Sequence, residues 1–200
     1  MTNATLPKPL SSPLRAPSFR LRKSPQAVLS HDGTRLAQLT QRLVVWDVAT
    51  RNVAYDGKLI ANEHHVALSP DGATVAVKDR EGALVFFDLA SQCEISRTPV
   101  TGANDGGCAP VFSADGRHLL DARHNALIRV WEVATAKEVA RCDLHTADFG
   151  LPHMTVARGR DEYFVALVRN GFAPGSRVLR IRGMALDRAE ILPIAGGPRG

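Results

Sequence analysis

Residues 69–91 open on Ser69-Pro70-Asp71-Gly72 and continue through the apolar run Thr74-Val75-Ala76-Val77 into a polar gap at 78–82. Ala83-Leu84-Val85-Phe86-Phe87 follows, and the stretch closes on Asp88-Leu89-Ala90-Ser91. Asp-Gly is a turn signal, since Asp can bond its own backbone and Gly can take positive φ. Short β-branched and aromatic runs on either side of a polar gap read as strands joined by a second turn. Val66-Ala67-Leu68 before the first turn and Glu94-Ile95-Ser96 after the last acid add two more strands, so the stretch predicts a unit of four.

The same layout occurs twice more. Ser30-His31-Asp32-Gly33 leads to Trp46-Asp47-Val48-Ala49-Thr50, and Ser113-Ala114-Asp115-Gly116 leads to Trp131-Glu132-Val133-Ala134-Thr135. The glycines lie 39 and 44 residues apart, and the interval from Gly to the motif aromatic is 13, 15 and 15 residues. A repeat that keeps its internal spacing is an architectural unit and not a chance motif. Met154-Thr155-Val156, Tyr163-Phe164-Val165-Ala166-Leu167, Val178-Leu179-Arg180-Ile181 and Leu192-Pro193-Ile194 predict a degraded fourth copy.

Through Ser69-Pro70-Asp71-Gly72 and the pairs Trp46-Asp47 and Trp131-Glu132, the chain resembles the tryptophan-aspartate (WD) repeat family of β-propellers. The period of about 40–45 residues and the four-stranded blade agree. The resemblance implies an all-β propeller of antiparallel four-stranded blades, three clear repeats and one degenerate, at about 25–60, 61–101, 102–145 and 150–195. Strong members of that family carry a Gly-His pair before the first strand and an acid in the second turn that joins a buried polar network. Here Glu81 and Asn125 occupy the turn position, the first repeat is shorter, and His64-His65 sits too near its strand. Blades held mainly by apolar packing are therefore expected. Asp32, Gly33, Trp46, Asp47, Asp71, Gly72, Phe87, Asp88, Asp115, Gly116, Trp131 and Glu132 are the structural positions of the repeat, with Trp46, Phe87 and Trp131 expected between blades.

Composition bounds the remaining choices. The 200 residues are 44% hydrophobic and 22% charged, and no apolar run approaches the roughly 18 residues of a membrane span. The net charge of +5 divides as +5 over residues 1–24, −4 over 25–150 and +4 over 151–200. Residues 1–17 hold Pro7, Pro9, Pro13 and Pro17 and read as a solvated basic tail without the apolar stretch of a secretory signal. The acid-free Ser and Arg content is that of a transit peptide, but the prolines suit an amphipathic helix badly. Phe19-Arg20-Leu21-Arg22 alternates as a strand does and fits the outermost strand of a preceding or closing blade.

No pattern in the chain carries chemistry. Asp32, Asp71 and Asp115 occupy one turn position in three blades and are expected to do turn work, not acid catalysis. The seven histidines, at 31, 64, 65, 118, 124, 145 and 153, lack metal-ligand spacing, and Cys93, Cys108 and Cys142 are too far apart for a metal or redox pair. Free thiols fit a reducing, cytoplasmic setting. Gly102–Gly107 is Gly-rich but lacks the Lys-Ser/Thr partner of a phosphate cradle, so it reads as a loop. No cofactor or metal is expected, and the expected role is a non-enzymatic protein-interaction scaffold.

Loops on a rigid frame are where such a module binds. The expected partner contacts are the turns between second and third strands, Lys78, Asp79, Arg80 and Glu81, then Arg123, His124 and Asn125. Three or four blades are few for this repeat type, and an open arc exposes apolar end faces. Self-association, or pairing with blades on another chain to close a ring, is therefore expected alongside protein partners. The rival reading is nucleic-acid or anionic-surface binding through Lys8, Arg15, Arg20, Arg22 and Lys23 and through Arg158, Arg160, Arg169, Arg177, Arg180 and Arg182. No aromatics interleave with those arginines, so nucleic acid is the less expected partner.

Overall fold

A computed structural model of the chain describes residues 26–40, 42–58, 63–79, 81–100, 108–123, 127–144, 153–156, 161–167 and 177–193. The tail, Phe19–Arg22, Gly102–Gly107, Arg80, His124, Asn125, Arg158, Arg160 and Arg169 lie outside the described residues.

Among the described residues, sixteen strands form four antiparallel sheets in strict chain order. Blade one is β1 (Gln26–Leu29), β2 (Arg35–Leu39), β3 (Arg42–Asp47) and β4 (Val53–Lys58). Blade two is β5 (Glu63–Leu68), β6 (Thr74–Asp79), β7 (Leu84–Asp88) and β8 (Cys93–Arg97). Blade three is β9 (Val111–Phe112), β10 (His118–Ala122), β11 (Leu127–Glu132) and β12 (Lys137–Asp143). Blade four is β13 (His153–Val156), β14 (Glu162–Leu167), β15 (Arg177–Arg182) and β16 (Glu190–Pro193), with a 3-10 turn at Leu186–Arg188 that the sequence did not suggest. The degraded fourth repeat is thus a full blade.

The first turn of each clear repeat is built identically. The Ser30, Ser69 and Ser113 hydroxyls donate to Asp32, Asp71 and Asp115 at 2.6 Å. Each hydroxyl oxygen also accepts the N–H that opens the second strand, from Arg35, Thr74 and His118 at 2.8–3.0 Å. Gly72 completes its turn at φ +67, where an added Cβ would come within 2.5 Å of Arg35 of the preceding blade. The turns also touch across blades, with the Asp32 N–H donating to the Pro70 carbonyl at 3.1 Å.

The second signature makes a different device. Asp47 accepts the Thr50 N–H and hydroxyl, and Asp88 accepts the same pair from Ser91. Arg51, Gln92 and Ala136 then take left-handed backbone at φ 62, 57 and 53. A bulge follows at the motif aromatic in each of these blades, between Val45/Trp46, Phe86/Phe87 and Val130/Trp131. Because none of the left-handed residues is Gly or Asn, this feature carries no sequence signal.

These hydrogen bonds set an acid dependence. The Ser hydroxyls first, then backbone N–H groups, hold Asp32, Asp71 and Asp115 below the usual carboxylate range, and the Thr50 and Ser91 groups do the same for Asp47 and Asp88. A carboxyl whose folded pKa is depressed contributes stability that is fully present above its unfolded value of about 3.9 and is lost as pH falls through the folded one. Thermal melts between pH 7 and 2 are expected to show a midpoint that drops below about pH 4. The triple variant Asp32→Asn, Asp71→Asn, Asp115→Asn is expected to start lower at neutral pH and to lose less on acidification, and parallel acid limbs would contradict this assignment.

Each blade has two faces, and apolar packing between them builds the core. The front face carries the motif aromatic; the rear face carries the alternate residues. Ala37, Leu39, Leu43 and Val45 on the rear of blade one meet Val66, Leu68, Val75, Val77 and Phe87 on the front of blade two. Ala67, Ala76, Leu84 and Phe86 on the rear of blade two meet Phe112, Leu119 and Trp131. Leu120, Ala122, Ile128 and Val130 on the rear of blade three meet Tyr163, Val165, Leu179 and Ile181. Phe87 and Trp131 lie between blades as expected. Trp46 does not: it is half-buried on the front of blade one and in none of the three clusters, and the described residues hold no blade ahead of it.

Candidate interaction surface

Antiparallel order within a blade sends first and third turns to one end of the arc. The opposite end receives the turns between second and third strands and the blade-to-blade connections. The first end is made of short turns locked by Asp and Ser. The second end carries Asp79 and Glu81 of blade two and Arg123 of blade three. It is the end where side chains can vary without disturbing the ladder.

Of the contacts expected at that end, Asp79 and Glu81 share one turn. Asp79 accepts the N–H groups of Glu81 at 2.9 Å and Ala83 at 2.8 Å, so its carboxylate shapes the loop, while Glu81 is exposed. Arg123 lies in the corresponding position of blade three, where its N–H donates to the Leu127 carbonyl at 2.9 Å. Lys78 requires a correction, since its side chain is 0% exposed. β6 runs two residues beyond Val77, so Lys78 occupies a rear-face position in line with Ala76 and cannot touch a partner.

Lys78 instead belongs to an ion network that joins blades two and three beneath the loop end. Its Nζ donates to Asp121 Oδ1 at 2.7 Å, and Arg129 Nη2 donates to Asp121 Oδ2 at 2.9 Å. Asp121 is fully buried and Arg129 is 1% exposed. Arg129 also stacks over the Trp131 ring at 4.8 Å from its centroid, a cation–π contact in a desolvated setting. The Trp131 indole N–H is buried without a hydrogen-bond partner among the described residues. This blade interface is therefore tied by charge where mainly apolar packing was expected. The signal lay in alternation: Asp121 falls on the face of Leu119, and Arg129 on the face of Trp131.

Cys108 lies beside this network, and burial, then the Asp121 charge, pushes its thiol up to about 12. A neutral thiol there acts as a small apolar side chain. Cys93 is exposed and Cys142 half-buried. Among the described residues no group of three or more His, Cys, Asp or Glu side chains could hold a metal ion, and no helix is long and apolar enough to cross a membrane. Blade four is tied to blade three by Tyr163, whose hydroxyl accepts the Ala114 N–H at 2.9 Å and donates to Asp161.

The four-blade arc superposes on the crystal structure of RRP9 WD40 repeats with a TM-score of 0.67, at 16% identity, covering 88% of this chain and 52% of that one. The fold is that of WD40-type propeller blades. Two curated proteins are similar in sequence to this WD40-type chain. Transcription factor unc-37 of Caenorhabditis elegans is 26% identical over 110 residues, 54% of this chain and 18% of the relative. Actin-interacting protein 1-2 of Arabidopsis thaliana is 29% identical over 97 residues, 48% of this chain and 16% of the relative. The chain thus spans less than a fifth of either relative and about half of the solved propeller. No family model matches it.

Proposed function

We propose that this WD40-type chain is a non-catalytic, cytoplasmic scaffold that binds a protein partner through the loop end of its arc. The observation that carries the reading is the division between the two ends: one is locked by repeated Asp and Ser turns, the other presents exposed Glu81 over a buried ion network. Such a frame holds loops rigidly enough to reduce the entropy lost on binding.

The polyanion reading draws less support. Arg180 pairs with Glu190, and Arg182 pairs with Glu162 at 3.2 Å and with Glu190 at 3.4 Å, so part of the late arginine charge is already neutralised. The test is affinity purification with partner identification, followed by titration of that partner. Glu81→Arg is expected to weaken binding about tenfold with an unchanged melting midpoint, as for a contact at the edge of an interface. His31→Ala, at the opposite end, is expected to leave binding unchanged. Duplex DNA binding with a steep salt dependence, in place of protein binding, would overturn the proposal.

A further inference from the structure

Three interfaces stack the four blades, and strand register makes their positions comparable. One rear-face position is held by Leu39 in blade one, Lys78 in blade two, Ala122 in blade three and Ala166 in blade four. Beside it in sequence, a cross-strand pair faces forward: Gln38 with Val44, Val77 with Val85, Asp121 with Arg129, and Val165 with Leu179. At the first interface Leu39 shares a cluster with Val77, and at the third Ala122 shares one with Val165 and Leu179. At the middle interface Lys78 meets Asp121 at 2.7 Å, and Arg129 holds the other carboxylate oxygen at 2.9 Å. Among the four rears only blade two presents a cation at this position, and among the four fronts only blade three presents a carboxylate.

Elsewhere the faces are alike. The rears carry Ala37 and Val45, Ala76 and Phe86, and Leu120 and Val130, and the fronts carry Val75 and Phe87, Leu119 and Trp131, and Tyr163 and Ile181. An apolar rear of this kind finds an apolar front on any blade, whether in its own chain or on a neighbouring chain that is still folding. Repeat proteins are prone to that misassembly, because a wrong pairing satisfies most of the same contacts.

We infer that the Lys78–Asp121–Arg129 network is a matching device that makes the rear of blade two accept the front of blade three and no other. Any other front sets the Lys78 ammonium against Gln38 and Val44, Val77 and Val85, or Val165 and Leu179, and buries its charge without a carboxylate. Any other rear leaves Asp121 and Arg129 against an aliphatic side chain, with the cross-blade lysine missing. A buried ion pair adds little net stability over apolar residues of similar size, so selectivity between pairings is what the network supplies. Lys78 adjoins Asp79 and Asp121 lies two residues from Arg123, so the matched pairing also sets the loop-end turns of blades two and three side by side.

Refolding of the full chain tests this. The parent and the variant Lys78→Met, Asp121→Leu, Arg129→Met are unfolded in urea and diluted over a concentration series. Size-exclusion chromatography with light scattering then compares each sample with itself before unfolding. The triple variant keeps the buried volume and loses the match. It is expected to melt no lower than the parent, yet to form about threefold or more of higher-mass, mispaired species as concentration rises. Arg129→Met, which keeps the Lys78–Asp121 pair across the interface, is expected to refold as cleanly as the parent. Lys78→Met, Asp121→Asn, Arg129→Gln is the second charge-free variant should the first not fold, with the same loss of fidelity expected. Equal recovery of parent and charge-free variants at every concentration would overturn the inference. So would a charge-free variant whose melting midpoint falls together with its recovery, since the network would then be supplying stability and not selectivity.

Discussion

Replacing Asp121 by Ala is expected to destabilise the chain by about 3–5 kcal/mol, which for a protein of this size lowers the thermal midpoint by roughly 6–20 °C. Asp121 accepts from Lys78 at 2.7 Å and Arg129 at 2.9 Å with all three side chains out of water. Removing the carboxylate leaves two buried cations facing each other across the interface of blades two and three. Desolvation, not the loss of the attraction itself, sets the size of the effect, and so the companion outcome runs the other way. The triple replacement Lys78→Met, Asp121→Leu, Arg129→Met removes charge and desolvation together and is expected to be neutral or mildly stabilising. Thermal melts of both variants check the pair of expectations, and a single variant within about 1 kcal/mol of the parent would show that water reaches the network.

The second large effect separates two tryptophans at the same repeat position. Trp131→Ala empties a site that is 3% exposed and packed against Phe86, Leu119 and Ala67, and is expected to cost about 3–5 kcal/mol. Trp46→Ala removes a half-buried ring on the front of blade one and is expected to cost roughly 1 kcal/mol. Thermal melts of both variants check the difference, and equal losses for the two tryptophans would mean that the front of blade one is covered.

Much of this architecture is local and therefore legible in order. A strand alternates every second residue, a turn needs Asp and Gly at set positions, and both are properties of a few neighbouring residues. Ser-x-Asp-Gly located the first turns and the Gly-to-aromatic interval the third strands of blades one to three, and short apolar runs located the strands of blade four, where the motifs have decayed. Lys78 was misplaced because strand ends are decided by pairing with β5 and β7, not by the polarity of the residue itself. The left-handed Arg51, Gln92 and Ala136 went unseen because the bulge is imposed by the Asp turn and the ladder around them.

What the sequence determined by itself, then, is the unit: four strands, their turns and the alternation that gives every blade an apolar front and rear. What only the tertiary structure decided is which of those faces meet. Trp46 and Trp131 hold the same motif position, yet one is half-buried at an end of the arc and the other is sealed beneath Arg129. Lys78 and Asp121, 43 residues apart, became partners because blade stacking brings rear and front faces together. Burial is a property of the neighbour across the interface, and no residue carries that neighbour in its own sequence.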